Sequence, residues 1–186
     1  MSFVMLVVLG NTRAQLQQGN FLIGSDMARL RLGLNEGSVF DVDINPKLAF
    51  FIRNNVALGT YLHFGLSTSK GAGTDIDYGI GILGRYYISD PSINVLQHSR
   101  FFFEGNVGIE GTNPASGDNT NGLGLGIGPG LAYFLTPNVG LETLLKYQGI
   151  VGFGSKTTSS DLVLSVGLQI YLPTSRIKAR AEEIKN

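Results

Sequence analysis

The residues of this chain that could do chemistry are charged side chains placed at every second position of otherwise apolar segments. Arg29 and Arg31 lie on one side of Glu36, and Asp41 and Asp43 lie at matching distances on the other side. If a hairpin turns about Glu36, Arg31 faces Asp41 and Arg29 faces Asp43 across two antiparallel strands. The spacing therefore predicts the register of the hairpin, with both opposite-charge pairs on one face.

A second group of charges is spread over more distant segments and falls on the same strand face. Arg85 would face Glu104 across a later hairpin, with Lys47 and Glu142 nearby and Lys146 on the same face. Charges enclosed in a narrow interior must pair with one another, because an unpaired buried charge is very unfavourable. We therefore expect an ion-pair network with a structural role, and a gate or polar pathway is the alternative role for it.

Acidic residues predominate near one end of these segments. The residues expected there are Asp41, Asp43, Asp75, Asp77 and Glu110, against the basic residues Arg29, Arg31 and Lys146. A mildly acidic mouth attracts cations or basic ligands, and salt weakens that attraction.

Two weaker patterns could indicate an enzyme. His63 falls on the same face as the charges, but no G-x-S-x-G or comparable nucleophile motif accompanies it. Gly79, Gly81 and Gly84 match the dinucleotide motif G-x-G-x-x-G, yet they lie within an alternating segment that no helix follows. We expect a hydrogen-bonded structural histidine, no catalytic residues and no cofactor.

Whole-chain composition excludes several other functions. The 186 residues contain 14 Lys and Arg against 14 Asp and Glu, so no basic excess indicates nucleic-acid binding. Cysteine is absent, which excludes disulfides and thiolate chemistry, and no cluster of histidines has metal-ligand spacing. The 26 glycines have no collagen-like period and need another explanation.

The elements that carry these charges are predicted to be β-strands, because apolar residues recur with a period of two. The last segment shows this best, with Leu162, Leu164, Val166, Leu168, Ile170 and Leu172 on one face and Val163, Ser165, Gly167, Gln169 and Tyr171 on the other. The same test predicts eight strands, near 20–34, 39–52, 56–68, 75–88, 100–111, 122–135, 139–150 and 161–172. An even number of strands this long fits an antiparallel up-and-down barrel that crosses a membrane.

The connections between strands also alternate in kind. Residues 53–55 and 136–138 are tight turns, whereas 69–74, 112–121 and 151–160 are longer and polar. Short periplasmic turns and longer extracellular loops are typical of outer-membrane barrels. The three longer loops are therefore the expected site for an extracellular ligand.

Periodicity alone does not decide which face is outside. A soluble barrel would hold the apolar face inside, with the charges facing water. The membrane alternative is favoured because the polar face of the sixth segment is mostly glycine, which suits a crowded interior, and because aromatic residues cluster toward strand ends. Strict alternation aims Asp26 at lipid, so we expect a bulge or a strand start near it.

The two ends of the chain differ from this pattern. Residues 1–14 read as a signal peptide, although the usual basic start is missing and the segment could be truncated. A buried N-terminal strand is the alternative for this segment. Residues 15–172 form the predicted barrel, and residues 173–186 form a charged tail expected in the periplasm.

Taken together, residues 15–172 resemble the small outer-membrane β-barrel proteins common in Bacteroidetes, which are related in pattern to the OmpX and OmpW barrels. The most specific match is in the last strand, where Ser165, Gly167, Ile170 and Leu172 fit the family's assembly signal. The resemblance implies an outer-membrane location, contact with lipid and recognition by the barrel-insertion machinery. The charged tail departs from the family, whose chains often stop at the terminal apolar residue.

The functional expectation is a non-enzymatic barrel that supports the outer membrane or binds partners through its loops. One alternative is a narrow passive channel for small or hydrophobic solutes, similar to the OmpW barrels. A remote alternative is a lipid-modifying enzyme at the rim, which would require a serine and a carboxylate within hydrogen-bond reach of His63.

Overall fold

In the computed structural model, which describes residues 16–32, 39–71, 73–88, 98–153 and 158–174, eight antiparallel strands form a closed barrel. The strands are β1 (Phe21–Leu32), β2 (Val39–Arg53), β3 (Val56–Ser69), β4 (Gly73–Tyr87), β5 (Ser99–Asn113), β6 (Thr120–Thr136), β7 (Val139–Gly152) and β8 (Thr158–Leu172). Each strand pairs with the next, and β8 pairs with β1. The predicted fold class, strand order and direction are confirmed, with ends that differ by a few residues. Within the described ranges, no helix has the length and apolar character needed to cross a membrane.

The apolar face of every strand points outward. In β8, Leu162 and Leu164 are 68% and 60% exposed, whereas Gln169 and Tyr171 are fully buried. Large aliphatic side chains such as Ile80, Ile82 and Ile127 are more than half exposed on the other strands, and together these residues form a continuous apolar belt. Such an exterior requires hydrocarbon around it, because a belt of this size in water is very unfavourable. The soluble-barrel alternative, with the apolar face inside, is therefore wrong.

The predicted irregularity in β1 is present. The register of β1 against β2 shifts between Met27 and Arg29, which leaves Ala28 as an extra residue. This bulge reverses the alternation, so that Asp26 points into the lumen and is only 3% exposed. Asp26 therefore lies among the interior charges, whereas strict alternation would have placed it on the lipid face.

Aromatic side chains fill the inner half of the lumen, which is the half toward the tight turns at 54–55 and 137–138. Their rings stack in a connected cluster with centroid separations between 5.1 and 6.4 Å, and its members are Phe51, Tyr87, Phe102, Phe134 and Tyr171. A side chain at Gly130 would overlap the ring of Phe102. The glycines on the lumen face of β6 thus make room for large side chains that reach across the barrel.

The segment before β1 covers this inner end. Leu16 is 3% exposed against the aromatic cluster, and its carbonyl oxygen accepts a hydrogen bond of 2.8 Å from the Asn55 amide. The Gly19 amide donates to the Phe51 carbonyl, and the Phe51 amide donates to the Asn20 carbonyl, both at 2.8 Å. Residues 16–20 therefore pack against the β2–β3 turn and cover the inner end of the lumen, which we call the barrel floor.

Candidate functional site

Glu104 is the centre of the ion-pair network in the lumen. Arg85 Nε donates a hydrogen bond of 2.6 Å to Glu104 Oε2, and Lys47 Nζ approaches the same oxygen at 2.9 Å. Lys146 Nζ lies 2.9 Å from Glu104 Oε1. Glu104 is 1% exposed, so three cations from three other strands replace its lost hydration.

Arg85 connects this carboxylate to a second one. Its Nη1 donates a hydrogen bond of 2.7 Å to Glu142 Oε2, and the Tyr171 hydroxyl donates to Glu142 Oε1 at 2.5 Å. The guanidinium carbon of Arg85 lies 4.5 Å from the centroid of the Phe102 ring, a cation–π contact. Arg85 therefore joins the polar network to the aromatic cluster beneath it.

The sequence prediction missed one carboxylate of the network. Lys47 Nζ donates a hydrogen bond to Asp26 Oδ2, and the Gln169 amide nitrogen donates one of 2.7 Å to Asp26 Oδ1. Three acids thus face three bases, and the formal charges of this network sum to zero; the six residues are Asp26, Glu104, Glu142, Lys47, Arg85 and Lys146. We call these six residues the lumen network.

The outer half of the lumen, toward the longer loops, holds charges with fewer partners. Backbone register places Arg29 opposite Asp43 and Arg31 opposite Asp41, as predicted. The Arg29 side chain nevertheless contacts Asp41 diagonally, at 3.3 Å, and not Asp43. Asp43 instead lies 3.4 Å from His63 Nε2 and accepts a hydrogen bond from Asn45 at 3.1 Å. The register predicted for this hairpin is therefore confirmed, although the Arg29 side chain forms its contact diagonally. The side chain of Arg31 lies outside the described residues.

The residues predicted for the acidic mouth lie at different depths. Glu110 is 8% exposed and accepts a hydrogen bond of 2.6 Å from the Tyr61 hydroxyl. Asp77 is half-buried on β4, and Asp75 is exposed and accepts a 2.6 Å hydrogen bond from the Ala115 amide. Asp75 thereby ties the β5–β6 loop to β4. Asp41 and Glu110, each 8% exposed, are the buried acids of this group.

The arrangement around His63 does not form a catalytic triad. Its imidazole faces Asp43, and among the described residues no serine completes the pair. Gly79, Gly81 and Gly84 lie in the interior of β4, where they pair with β3 and β5 and leave no helix N-terminus for a phosphate. The described part of the chain also contains no group of three or more His, Cys, Asp or Glu side chains arranged around a metal position.

The assembly signal is divided between the two faces of β8. Ser165 and Gly167 face the lumen, Ile170 faces outward with 40% exposure, and Leu172 pairs with Phe21 at the barrel closure. The predicted signal peptide and residues 175–186 of the predicted tail lie outside the described residues.

Several lumen residues were not predicted as site residues. Gln169, Tyr87 and Tyr171 are fully buried hydrogen-bond partners of the lumen network. The alternation of the sequence places these residues on the lumen face. It does not reveal their hydrogen-bond partners, so the tyrosines are predicted only to fill space. Asp26 was visible as an exception to the alternation.

Comparison with known proteins gives a fold but no close relative. No protein-family model matches the chain, and no curated protein matches it. The neisserial surface protein A structure is 18% identical, with 81% of this chain and 95% of that chain covered and a TM-score of 0.55. The N-terminal β-barrel domain of Pseudomonas aeruginosa OprF is 14% identical, with coverages of 83% and 98% and a TM-score of 0.50.

These likenesses extend over nearly the whole of both neighbouring chains. The chain has the fold of the small outer-membrane β-barrels. The fold implied by the resemblance is thus confirmed, and the Bacteroidetes relationship stays a prediction. The lumen network lies inside a barrel of the type that crosses outer membranes with eight strands.

Proposed function

We propose that the protein is an integral barrel of the bacterial outer membrane with a structural or surface-binding role and no catalytic activity. Its location is supported by the apolar belt and by the closed antiparallel wall, in which neighbouring strands pair their backbone groups. Contact with membrane lipid follows from the belt. The proposal also includes recognition by the barrel-insertion machinery through the last strand.

The observation that carries a non-conducting role is the charge-neutral lumen network. An eight-stranded barrel has an interior only about wide enough for side chains to fill it. Here the network crosses the lumen from β2 and β4 to β5 and β7, and the aromatic cluster lies directly beneath it. An ion that crosses this layer must separate buried pairs, which is strongly unfavourable.

A binding role is assigned to the longer loops, 69–74, 112–121 and 151–160. The β5–β6 loop is held in place by the Asp75 contact to Ala115, and Tyr78 donates a hydrogen bond of 2.6 Å to Asn121 at its base. A loop anchored at both ends loses less conformational entropy on binding. These loops are the proposed contact for an extracellular ligand.

The second candidate function is a narrow passive channel for small or hydrophobic solutes. It has in its favour the glycines on the lumen face of the outer half, where β4 and β6 carry Gly79, Gly81, Gly122, Gly124 and Gly126. Tyr61, Asn106, Glu110 and Lys146 occupy the space beside these glycines, so these side chains must move before a solute can enter. A channel would still require the lumen network to rearrange.

The remote third candidate, catalysis at the rim, has only the His63 and Asp43 pair in its favour. A hydrolase of this kind also needs a nucleophile beside the imidazole. We therefore place it last.

Cell fractionation and solute flux test the proposal together. The full chain should appear in the outer-membrane fraction and migrate faster on gels when unboiled, because the closed barrel resists detergent. Liposomes that contain the purified protein should not swell faster than empty liposomes in small sugars. Recovery in the soluble fraction would contradict the membrane location, and rapid swelling would favour the channel.

A further inference from the structure

The barrel is closed, but its β1–β8 seam is paired over only part of its length. The pairing of β1 with β2 continues to Leu32, but the pairing of β1 with β8 runs only from Phe21 with Leu172 to Met27 with Val166. Beyond the bulge, residues 29–32 of β1 and 158–165 of β8 have no strand partner across the seam. The outer half of this seam is therefore open within the described ranges.

A lipid-facing groove lies at the point where the seam opens. It is a shallow groove open to the outside, with a volume of about 430 Å³. Its lining combines apolar side chains of the outer face with small and polar residues at the bulge: Met27, Ile44, Leu141, Val166, Leu168, Ser25, Asp26, Ala28, Arg29 and Gly167. The groove therefore presents an apolar surface beside a polar opening. We call it the seam groove.

The open seam adjoins the apolar belt. Leu162 and Leu164, which lie on the unpaired part of β8, are among the most exposed apolar side chains of the protein. Each unsatisfied backbone N–H or C=O group in hydrocarbon is unfavourable by several kcal/mol. The seam therefore needs an occupant that supplies both hydrogen-bonding groups and apolar surface.

A positive charge marks the polar side of the seam groove. The Arg29 side chain is 58% exposed, and its contact with Asp41 uses Nη1 at 3.3 Å. Arginine is well suited to phosphate because its planar guanidinium can donate two parallel hydrogen bonds. An anionic head group is thus complementary to this edge.

We propose that the seam groove binds a lipid of the surrounding bilayer that carries an anionic phosphate head group. One acyl chain lies along Ile44, Leu141 and Leu168, and the phosphate contacts Arg29. The polar linkage of the lipid faces the unpaired backbone of β1 and β8. This inference rests on the proposed membrane location.

Native mass spectrometry tests the site with the full-length protein refolded into phosphatidylcholine vesicles that contain phosphatidylglycerol. After transfer to a mild detergent, the wild-type barrel should retain one phosphatidylglycerol molecule in preference to phosphatidylcholine. Ala28→Trp should lose this adduct, because the ring occupies the groove, whereas Thr60→Trp adds the same ring on the lipid face of β3 and should retain it. Arg29→Gln should reduce the preference for phosphatidylglycerol by about fivefold or more, and Arg53→Gln at the periplasmic turn should not.

Each other result contradicts the inference. An adduct that survives Ala28→Trp, a preference that survives Arg29→Gln, or an inserted barrel without any adduct shows that the seam groove is not the lipid site. A dimer without lipid shows that a second copy covers the seam instead. Heat-modifiable mobility of the same samples reports insertion, so a protein that fails to insert contradicts the proposed function and is distinguished from a failure of the lipid site.

Discussion

Glu104 and Glu110 lie on the same face of one strand and have opposite environments. Glu104, in the inner half of the lumen, contacts Lys47, Arg85 and Lys146 and is 1% exposed. Glu110, in the outer half, has the Tyr61 hydroxyl as its hydrogen-bond donor. Glu104, whose charge is compensated, thus lies six positions along the strand from Glu110, which has no cation in contact among the described residues.

The difference indicates that the inner half of the lumen stabilises the barrel and that the outer half is the part available for binding. In the inner half, long side chains from opposite walls meet and are buried, so the paired charges there stabilise the fold. In the outer half, the Arg29 side chain is 58% exposed and Asp43 and Asp77 are half-buried, so a ligand can reach these groups.

The largest effect is expected for Glu104→Gln. The change leaves three buried cations with only two carboxylates, and we expect the free energy of unfolding to fall by about 3–5 kcal/mol. Urea titration of the vesicle-inserted barrel, followed by tyrosine fluorescence and gel mobility, measures this. Glu110→Gln is the matched control in the outer half and should lower the free energy by only about 1 kcal/mol. Equal losses for the two variants would remove the distinction between the halves.

The barrel floor should be the next most sensitive position. Leu16→Ala removes a buried side chain that covers the aromatic cluster, and a loss of about 2–3 kcal/mol in unfolding free energy is expected in the same titration. Gln17→Ala, at the exposed neighbouring position, should change it by less than about 0.5 kcal/mol. A neutral Leu16→Ala would show that residues 16–20 do not close the floor.

Glycine substitutions separate the crowded interior from the open exterior. Gly130→Ala forces a methyl group against the ring of Phe102 and should destabilise the barrel by about 1–2 kcal/mol. At Gly105 the nearest atom to an added methyl group is 3.8 Å away, so Gly105→Ala should be close to neutral. Thermal unfolding of the two variants, followed by gel mobility, compares them. The reverse order would contradict the packing described for the inner half.

The smallest effect is expected at the outer rim. Asp41→Asn removes the carboxylate that contacts the exposed Arg29 and should lower stability by less than about 1 kcal/mol. Salt should weaken the wild-type pair, so the difference between the two proteins should shrink from low to high NaCl. A large effect that salt does not change would mean that the rim is as closed as the inner half.

Much of this fold could be predicted from local patterns. The period of two gave the eight strands and their lipid face, and the symmetry of charges about Glu36 gave the β1–β2 register. The conflict of Asp26 with the alternation indicated the bulge, because a charge in hydrocarbon is too unfavourable to keep.

The interior contacts depended on geometry that the sequence does not contain. Lys146 reaches Glu104 on a strand two positions away, and Gln169 reaches Asp26 across the closure of the barrel. The open seam is a further example, because it depends on how β1 and β8, at opposite ends of the chain, meet after the bulge. Parity assigns a face to a residue, but it does not give the tilt of the strands, which sets contacts across the lumen.

Single-channel recording in a planar bilayer tests most directly whether the lumen network seals the barrel. The purified full-length protein, shown by gel mobility to be inserted, should give no discrete current steps above the bare membrane in potassium chloride. Steady openings of the wild-type protein would contradict the sealed lumen and make the passive channel the better account of its function.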